Sequence, residues 1–377
     1  MRGHRITLLC HAKDRPNWQG LGHLYDFLED LIVVPRPSRR SPSRLLRGVW
    51  SLRRPMVATV NGCNPTYARA FAALLETGFD LVQVEHSYAF EPLARALKFH
   101  HTPFVLSEHN VESTVVDQQF VRLPQPFRAL GRLDAVRYRT WEKDVIRRAA
   151  CVIAVTPEDE AAFQRLGAKS TALVPNCIDS KLFSGVTPDH AAQKVLFVGN
   201  YEYAPNLDAV ERLCERIMPL LWQTNPHVQL VICGHAMPAT WRRRWTDSRI
   251  LFEGFVKSLP QLHASSSVFV APLRSGGGSK LKVLEAMASA LPVVGTRESV
   301  SGLAVRDQMH FLAGENDQEI ATALGTALSN PELASLLGTE ARQYIARHHD
   351  WAVAADALEQ VYSTFISGNA EGMRHVA

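Results

Sequence analysis

In the stretch SGGGSKLKVLEAMASALPVV, residues 275–294, three glycines precede a helical pattern that carries Lys280, Lys282 and Glu285. Glycine lets a backbone approach an anion, and the free N–H groups at a following helix start point toward it. Ser279 fits an N-cap, and Lys280 or Lys282 would add a compensating charge. The pattern suits phosphate binding, although it is neither a P-loop nor a GxGxxG fingerprint. Glu285 beside a phosphate is unfavourable unless it has separate work, and hydrogen-bonding a ribose hydroxyl pair is a common one. Two plainer readings stay open on these residues alone. The loop can be a turn ahead of a core helix with a stripe of Leu281, Leu284 and Ala288. Lys282 and Glu285 can form a helix ion pair worth only a few tenths of a kcal/mol.

Two further candidates end apolar runs: His86 closes DLVQVEH and His109 closes PFVLSEH, with Asn110 and Glu112 in the loop that follows. A strand-end histidine can donate to a hydroxyl or stabilise developing charge. It can equally cap a helix start. The pairs His100–His101 and His348–His349 sit at helix ends and read as surface residues.

These groups need elements to hold them. Short apolar runs alternate with helical patterns throughout, which predicts βαβ units and parallel sheets. The first half offers RITLLC, LIVVP, DLVQVEH, PFVLSEH, CVIAVT and TALVPN as strands. The second half offers KVLFVGN, VQLVICG, ILFEGF, SVFVAPL and LPVVGT, and residues 177–193 between the halves have linker composition. After about residue 316 the pattern is helical only. The expected class is α/β, with two Rossmann-like doubly wound domains facing a cleft.

At 377 residues two domains are the prior, and 46% hydrophobic with 21% charged residues is globular composition. A net charge of +4 does not imply a nucleic-acid partner. Six cysteines without a CxxC pair suggest neither a zinc site nor a disulfide framework, and a reducing cytosol fits them. Cys10, Cys151 and Cys233 lie in apolar runs and read as small buried hydrophobes. No run reaches the ~18–20 apolar residues that span a bilayer. Residues 36–54, RPSRRSPSRLLRGVWSLRR, mix arginine with Trp50 and leucines, which suits either an anionic membrane surface or a solvated loop.

Taken together, and in this order along the chain, EHNVES, VPNCID, FVGNYEYAPNLDAV, APLRSGGGSKLKVLEAMASALPVVGT and WAVAADALEQVY resemble motifs of family 4 glycosyltransferases. These are retaining enzymes of GT-B fold, and the sugar-transferase subgroup with a GGG loop, associated with exopolysaccharide assembly, is the nearest match. The resemblance implies an N-terminal acceptor-side domain over 1–178 and a nucleotide-sugar domain over 190–350. A helix over 351–368 would return to the first domain. It further implies that Glu285 binds the donor ribose. Lys280 would hold the diphosphate with the backbone of Gly277, Gly278, Ser279 and Leu281. Gly234, Phe255 and Val256 would lie around the nucleobase and Gly199 and Asn200 at a strand end. His109 would contact the donor sugar near the reacting carbon, and His86, Asn110 and Glu112 would be acceptor-side candidates. No cofactor is implied, the nucleotide-diphosphate sugar being a substrate. The chain has no Asp-x-Asp motif, which agrees with metal-independent transfer.

Two departures stand out. The family's E-x7-E pattern would place its first Glu at 277, and that residue is Gly277. The family also opens with a strand and a Gly-Gly loop before an RGH-like helix end, whereas this sequence starts at MRGHRITLLC. The expectation is truncation, with RITLLC as the second strand; the alternative makes it the first strand and QGLGH the loop. The expected protein is a hexosyltransferase with a glycan or lipid-linked acceptor in cell-envelope or exopolysaccharide synthesis. It would be cytoplasmic, peripheral on the inner face of the plasma membrane through 36–54. A GT-B-fold sugar-nucleotide epimerase and a non-catalytic nucleotide-binding remnant are the alternatives.

Overall fold

A computed structural model describes residues 3–12, 26–36, 54–56, 64–114, 127–275 and 280–374. The chain forms two compact units. The first comprises Met1–Ala154, Glu158–Leu173 and Gln360–Ala377, and the second Val155–Pro157 and Val174–Glu359.

In the first unit β1 (Thr7–Ala12) pairs in parallel with β2 (Asp30–Pro35). A second parallel sheet has the order β3 (Val82–Glu85), β4 (Phe104–Glu108), β5 (Cys151–Ala154), β6 (Thr171–Leu173). Helices α1 (Pro65–Glu76), α2 (Ala94–His100), α3 (Phe127–Arg148) and α4 (Pro157–Leu166) alternate with these strands. Every residue of CVIA in β5 is buried, as expected of a parallel strand covered on both faces. Val145 and Ile146 of α3 and Phe163 of α4 complete that core. The side chain of Asn64 accepts from the N–H groups of Thr66 and Tyr67, and Pro65 opens α1 with its fixed φ. β1 is only half-buried and Leu8 is exposed, so Cys10 is not the core residue expected of it. Among the described residues β1 has a strand along one edge only.

The second unit holds one parallel sheet of order β12-β11-β10-β7-β8-β9. Its strands are β7 (Lys194–Asn200), β8 (Gln229–His235), β9 (Ile250–Gly254), β10 (Val268–Ala271), β11 (Val293–Gly295) and β12 (Leu312–Ala313). Helix α5 (Ala204–Arg212) continues through a π turn, Leu213–Ile217, and α6 (Leu281–Ala288), α7 (Asp317–Ser329) and α8 (Pro331–His348) follow. β12 is two residues long, too short for an apolar period to announce it.

Two readings are corrected here. Residues 177–193 are not a bare linker: Ile178 and Phe183 are buried in a core cluster with Val283 and Leu284 of α6. His349 is not a surface residue but 5% exposed. Its Nδ1 lies 2.8 Å from the Asn176 carbonyl and its Nε2 3.2 Å from the Tyr344 hydroxyl, so both ring nitrogens are used. Helix α9 (Trp351–Arg374) belongs to the first unit from Gln360 onward, where the Tyr362 hydroxyl donates to Gln83 Oε1.

Candidate functional site

In the second unit, Gly199 and Gly234 face each other where β7 and β8 end. Gly234 has φ +145°, and a Cβ there would stand 1.7 Å from the Gly199 carbonyl oxygen. Only glycine permits that approach. Asn200 is exposed at the end of β7, and its carbonyl accepts from Asn206 Nδ2 at 2.8 Å. The Asn206 amide oxygen accepts from Lys282 Nζ at 2.5 Å, and that ammonium sits 4.5 Å from the centroid of the buried Phe197 ring. Thus Lys282 reaches β7 and α5 rather than Glu285, which rules against the plain helix ion pair.

Lys280 precedes the first turn of α6 and is buried, with Nζ 3.4 Å from Glu298 Oε1 on the turn Arg297–Val300. Burial pushes the Lys280 pKa down, and Glu298 opposes the shift. Burial, then the Lys280 charge, pushes Lys282 down to about 7. Burial also pushes Glu285 up to about 7. A dehydrated pair of amines beside strand ends gains from a bound anion, which restores the charged form. Leu281 is exposed and so leaves the stripe expected of it, while Val283, Leu284, Ala286, Met287 and Ala288 form the buried face. Val256 packs against the core and Phe255 is 76% exposed, which removes the core reading of that ring. Gly277, Gly278 and Ser279 lie outside the described residues, as does most of 36–54.

In the first unit the candidates converge where β3 and β4 end. The His86 ring stacks on Tyr88, centroids 4.8 Å apart at 13°, and lies 4.7 Å from the His109 ring. His109 Nε2 is 3.8 Å from Glu85 Oε2, and His86 Nδ1 is 3.6 Å from Glu112 Oε1 and 3.7 Å from Glu108 Oε2. Burial alone would lower the His86 pKa, but Glu108, then Glu112 and Glu85, raise it further. Burial raises Glu85, yet contacts with His109, Gln83 and Ser107 outweigh it and hold that carboxyl below its ordinary value. Burial and the Glu108 charge push Glu112 up. Asn110 is half-buried beside them.

Sequence reasoning missed Glu85, Glu108 and Glu142 in the first unit and Asn206 and Glu298 in the second. The repeated Glu-His at both strand ends was the available signal for Glu85 and Glu108. Nothing local points to Glu142, which stands 29 residues from its partner Ser113.

Residues 1–182 match the model for Glycosyltransferase Family 4. Residues 192–330 match the model for Glycosyl transferases group 1. Over 111 residues the chain is 27% identical to an uncharacterized 44.6 kDa protein in the cps region of Klebsiella pneumoniae, covering 27% of this chain and 28% of that relative's length. The fold is similar to sucrose-phosphate synthase from Thermosynechococcus elongatus, with TM-score 0.69 and 20% identity over 97% of this chain and 100% of that one. It is also similar to HepE of Anabaena in complex with UDP and glucose, with TM-score 0.64 and 16% identity over 94% and 90% of the two chains.

Proposed function

We propose that this chain, a family 4 glycosyltransferase of GT-B fold, moves a hexosyl group with retention from a nucleotide-diphosphate sugar to a glycan or lipid-linked acceptor. The observation that carries the reading is the lysine pair of α6: Lys280 is buried and Lys282 is held on Asn206 and Phe197 beside the end of β7. Ligands of open parallel sheets bind outside the carboxyl ends of the strands, and Lys282 reaches Asn206, which donates to the Asn200 carbonyl at the end of β7. A retaining transfer onto a hydroxyl needs stabilisation of the departing diphosphate more than a protein nucleophile. Lys280 and Lys282 supply that charge without a metal, and Glu285 accepts from the ribose hydroxyls. His109 donates to the donor sugar near the reacting carbon, with Glu85 beside it. His86, Asn110 and Glu112 face the acceptor.

Two of the comparisons support a narrower reading. HepE is described bound to UDP and glucose, so a UDP-sugar is the first donor to try. The Klebsiella relative is described by its cps region, which favours cell-envelope or exopolysaccharide assembly. No helix among the described residues is long and apolar enough to cross a membrane. The basic 36–54 segment would then bring the protein to an anionic cytoplasmic membrane surface. Thermal shift with UDP-, GDP- and ADP-sugars, followed by transfer to lipid-linked acceptors, tests the function. A nucleotide sugar that raises the melting temperature and is consumed only with acceptor supports it. Binding without turnover, or epimerisation without transfer, refutes it.

A further inference from the structure

Glu108 at the end of β4 is only half satisfied among the described residues. Its Oε1 accepts from the Ser87 N–H at 2.7 Å, but Oε2, on a fully buried side chain, has no hydrogen-bond partner among them. His86 Nδ1, 3.7 Å away, is likewise buried without a hydrogen bond. Glu112 Oε1 closes the group, and the three atoms all lie within 4.8 Å of one another. Behind them, Glu142 buries a second carboxyl oxygen that has no hydrogen-bond partner among the described residues. An uncompensated buried carboxylate costs on the order of several kcal/mol.

Separations of 3.6 and 3.7 Å are too long for hydrogen bonds. They do suit two ligands of one ion. Around a tetrahedral zinc with bonds of ~2.0–2.2 Å, ligand atoms stand roughly 3.3–3.6 Å apart. The ring is also packed: it stacks on Tyr88, and the His109 ring lies 4.7 Å away at a tilt of 31°. The His86 backbone takes φ 65° and ψ 138°, a conformation that costs a non-glycine residue ~1–3 kcal/mol.

We propose that His86 Nδ1, Glu108 Oε2 and Glu112 Oε1 form a divalent-cation site of zinc or manganese type in the first unit. One imidazole with two carboxylates favours these metals over magnesium or calcium. The side chains of His86 and Glu112 remain 24% and 16% exposed, so a coordination position stays open toward solvent. The site shares His86 and Glu112 with the acceptor side proposed above. It uses none of the lysines proposed for the donor diphosphate, so metal binding and donor binding are read separately and either can fail without the other.

The test uses the full chain, stripped with a chelator and titrated with zinc chloride or manganese chloride by calorimetry and metal analysis. The parent should bind about one equivalent of one of them, and its melting temperature should rise. Glu108→Gln and His86→Ala should each weaken binding by at least ~10-fold. Glu112→Gln, on the half-buried rim, should do the same while the circular dichroism spectrum stays that of the parent, which separates ligand loss from misfolding. Cobalt(II) should give a visible absorption band that His86→Ala abolishes. A parent chain that binds neither metal overturns the proposal. So does undiminished binding in Glu112→Gln and His86→Ala, since the ion would then sit elsewhere.

Discussion

Replacing Lys282 with methionine should stabilise the second unit and weaken its hold on nucleotide at the same time. The fold holds this amine at about 7 against an ordinary 10.5. At pH 6 the group is protonated in both folded and unfolded chains, so the folded state carries the full cost of a buried ammonium. At ~1.4 kcal/mol per pH unit that cost is on the order of 3–5 kcal/mol. Methionine also forfeits the hydrogen bond to Asn206 and the contact with Phe197, which return roughly 1 kcal/mol each. The net gain is about 2 kcal/mol, or ~4–8 °C in the melting temperature of a domain this size. The sign with pH follows from the lowered value. The gain is full below pH 7, shrinks between about 7 and 10.5 as the unfolded chain alone stays protonated, and gives way above that to a net loss from the two forfeited contacts. Melting curves of parent and Lys282→Met at pH 6 and pH 9, with and without UDP, read all of this. A variant that melts below the parent at pH 6, or whose gain grows with pH, refutes the reasoning. So does a UDP-induced shift equal in both proteins.

Other expectations follow from the same geometry. Lys280→Ala should weaken donor binding at least ~10-fold by calorimetry, while His109→Ala should lower turnover more than donor affinity. Gly234→Ala must place a Cβ 1.7 Å from the Gly199 oxygen at φ +145°, and should cost more than ~3 kcal/mol in chemical denaturation. Burial holds the Glu285 carboxyl up at about 7, so the folded state keeps a proton that the unfolded chain gives up near 4.5. Stability should therefore fall as pH rises from 4.5 to 7, and Glu285→Gln should remove that slope in pH-resolved melts.

Much of the fold was legible because parallel strands buried on both faces read as short continuous apolar runs. CVIA, VFVA and the other runs named from sequence all became strands. β12, at two residues, left no period to detect. The spacing of Lys280, Lys282 and Glu285 placed them on one helix start, and the two runs ending in Glu-His placed His86 and His109 at strand ends. What each group touches was not legible. Lys282 meets Asn206 76 residues away, and His349 meets Asn176 at a distance of 173 residues. The pair at 348–349 looked like surface because helix-end residues usually are, and only the packing of 176–180 against 349–350 buries His349.

By itself the sequence determined the class of elements, their alternation and the residue types brought to the strand ends, since these depend on backbone propensity and on which face of an element is apolar. Tertiary structure alone decided the state of those groups. Solvation and field are set by neighbours remote in the chain: burial of Lys282 and Glu285 brings both near neutrality. The turn at His86 faces an imidazole toward two carboxylates, one of them fully buried. Local pattern carries no such information, because the energy of a charge depends on what surrounds it in three dimensions.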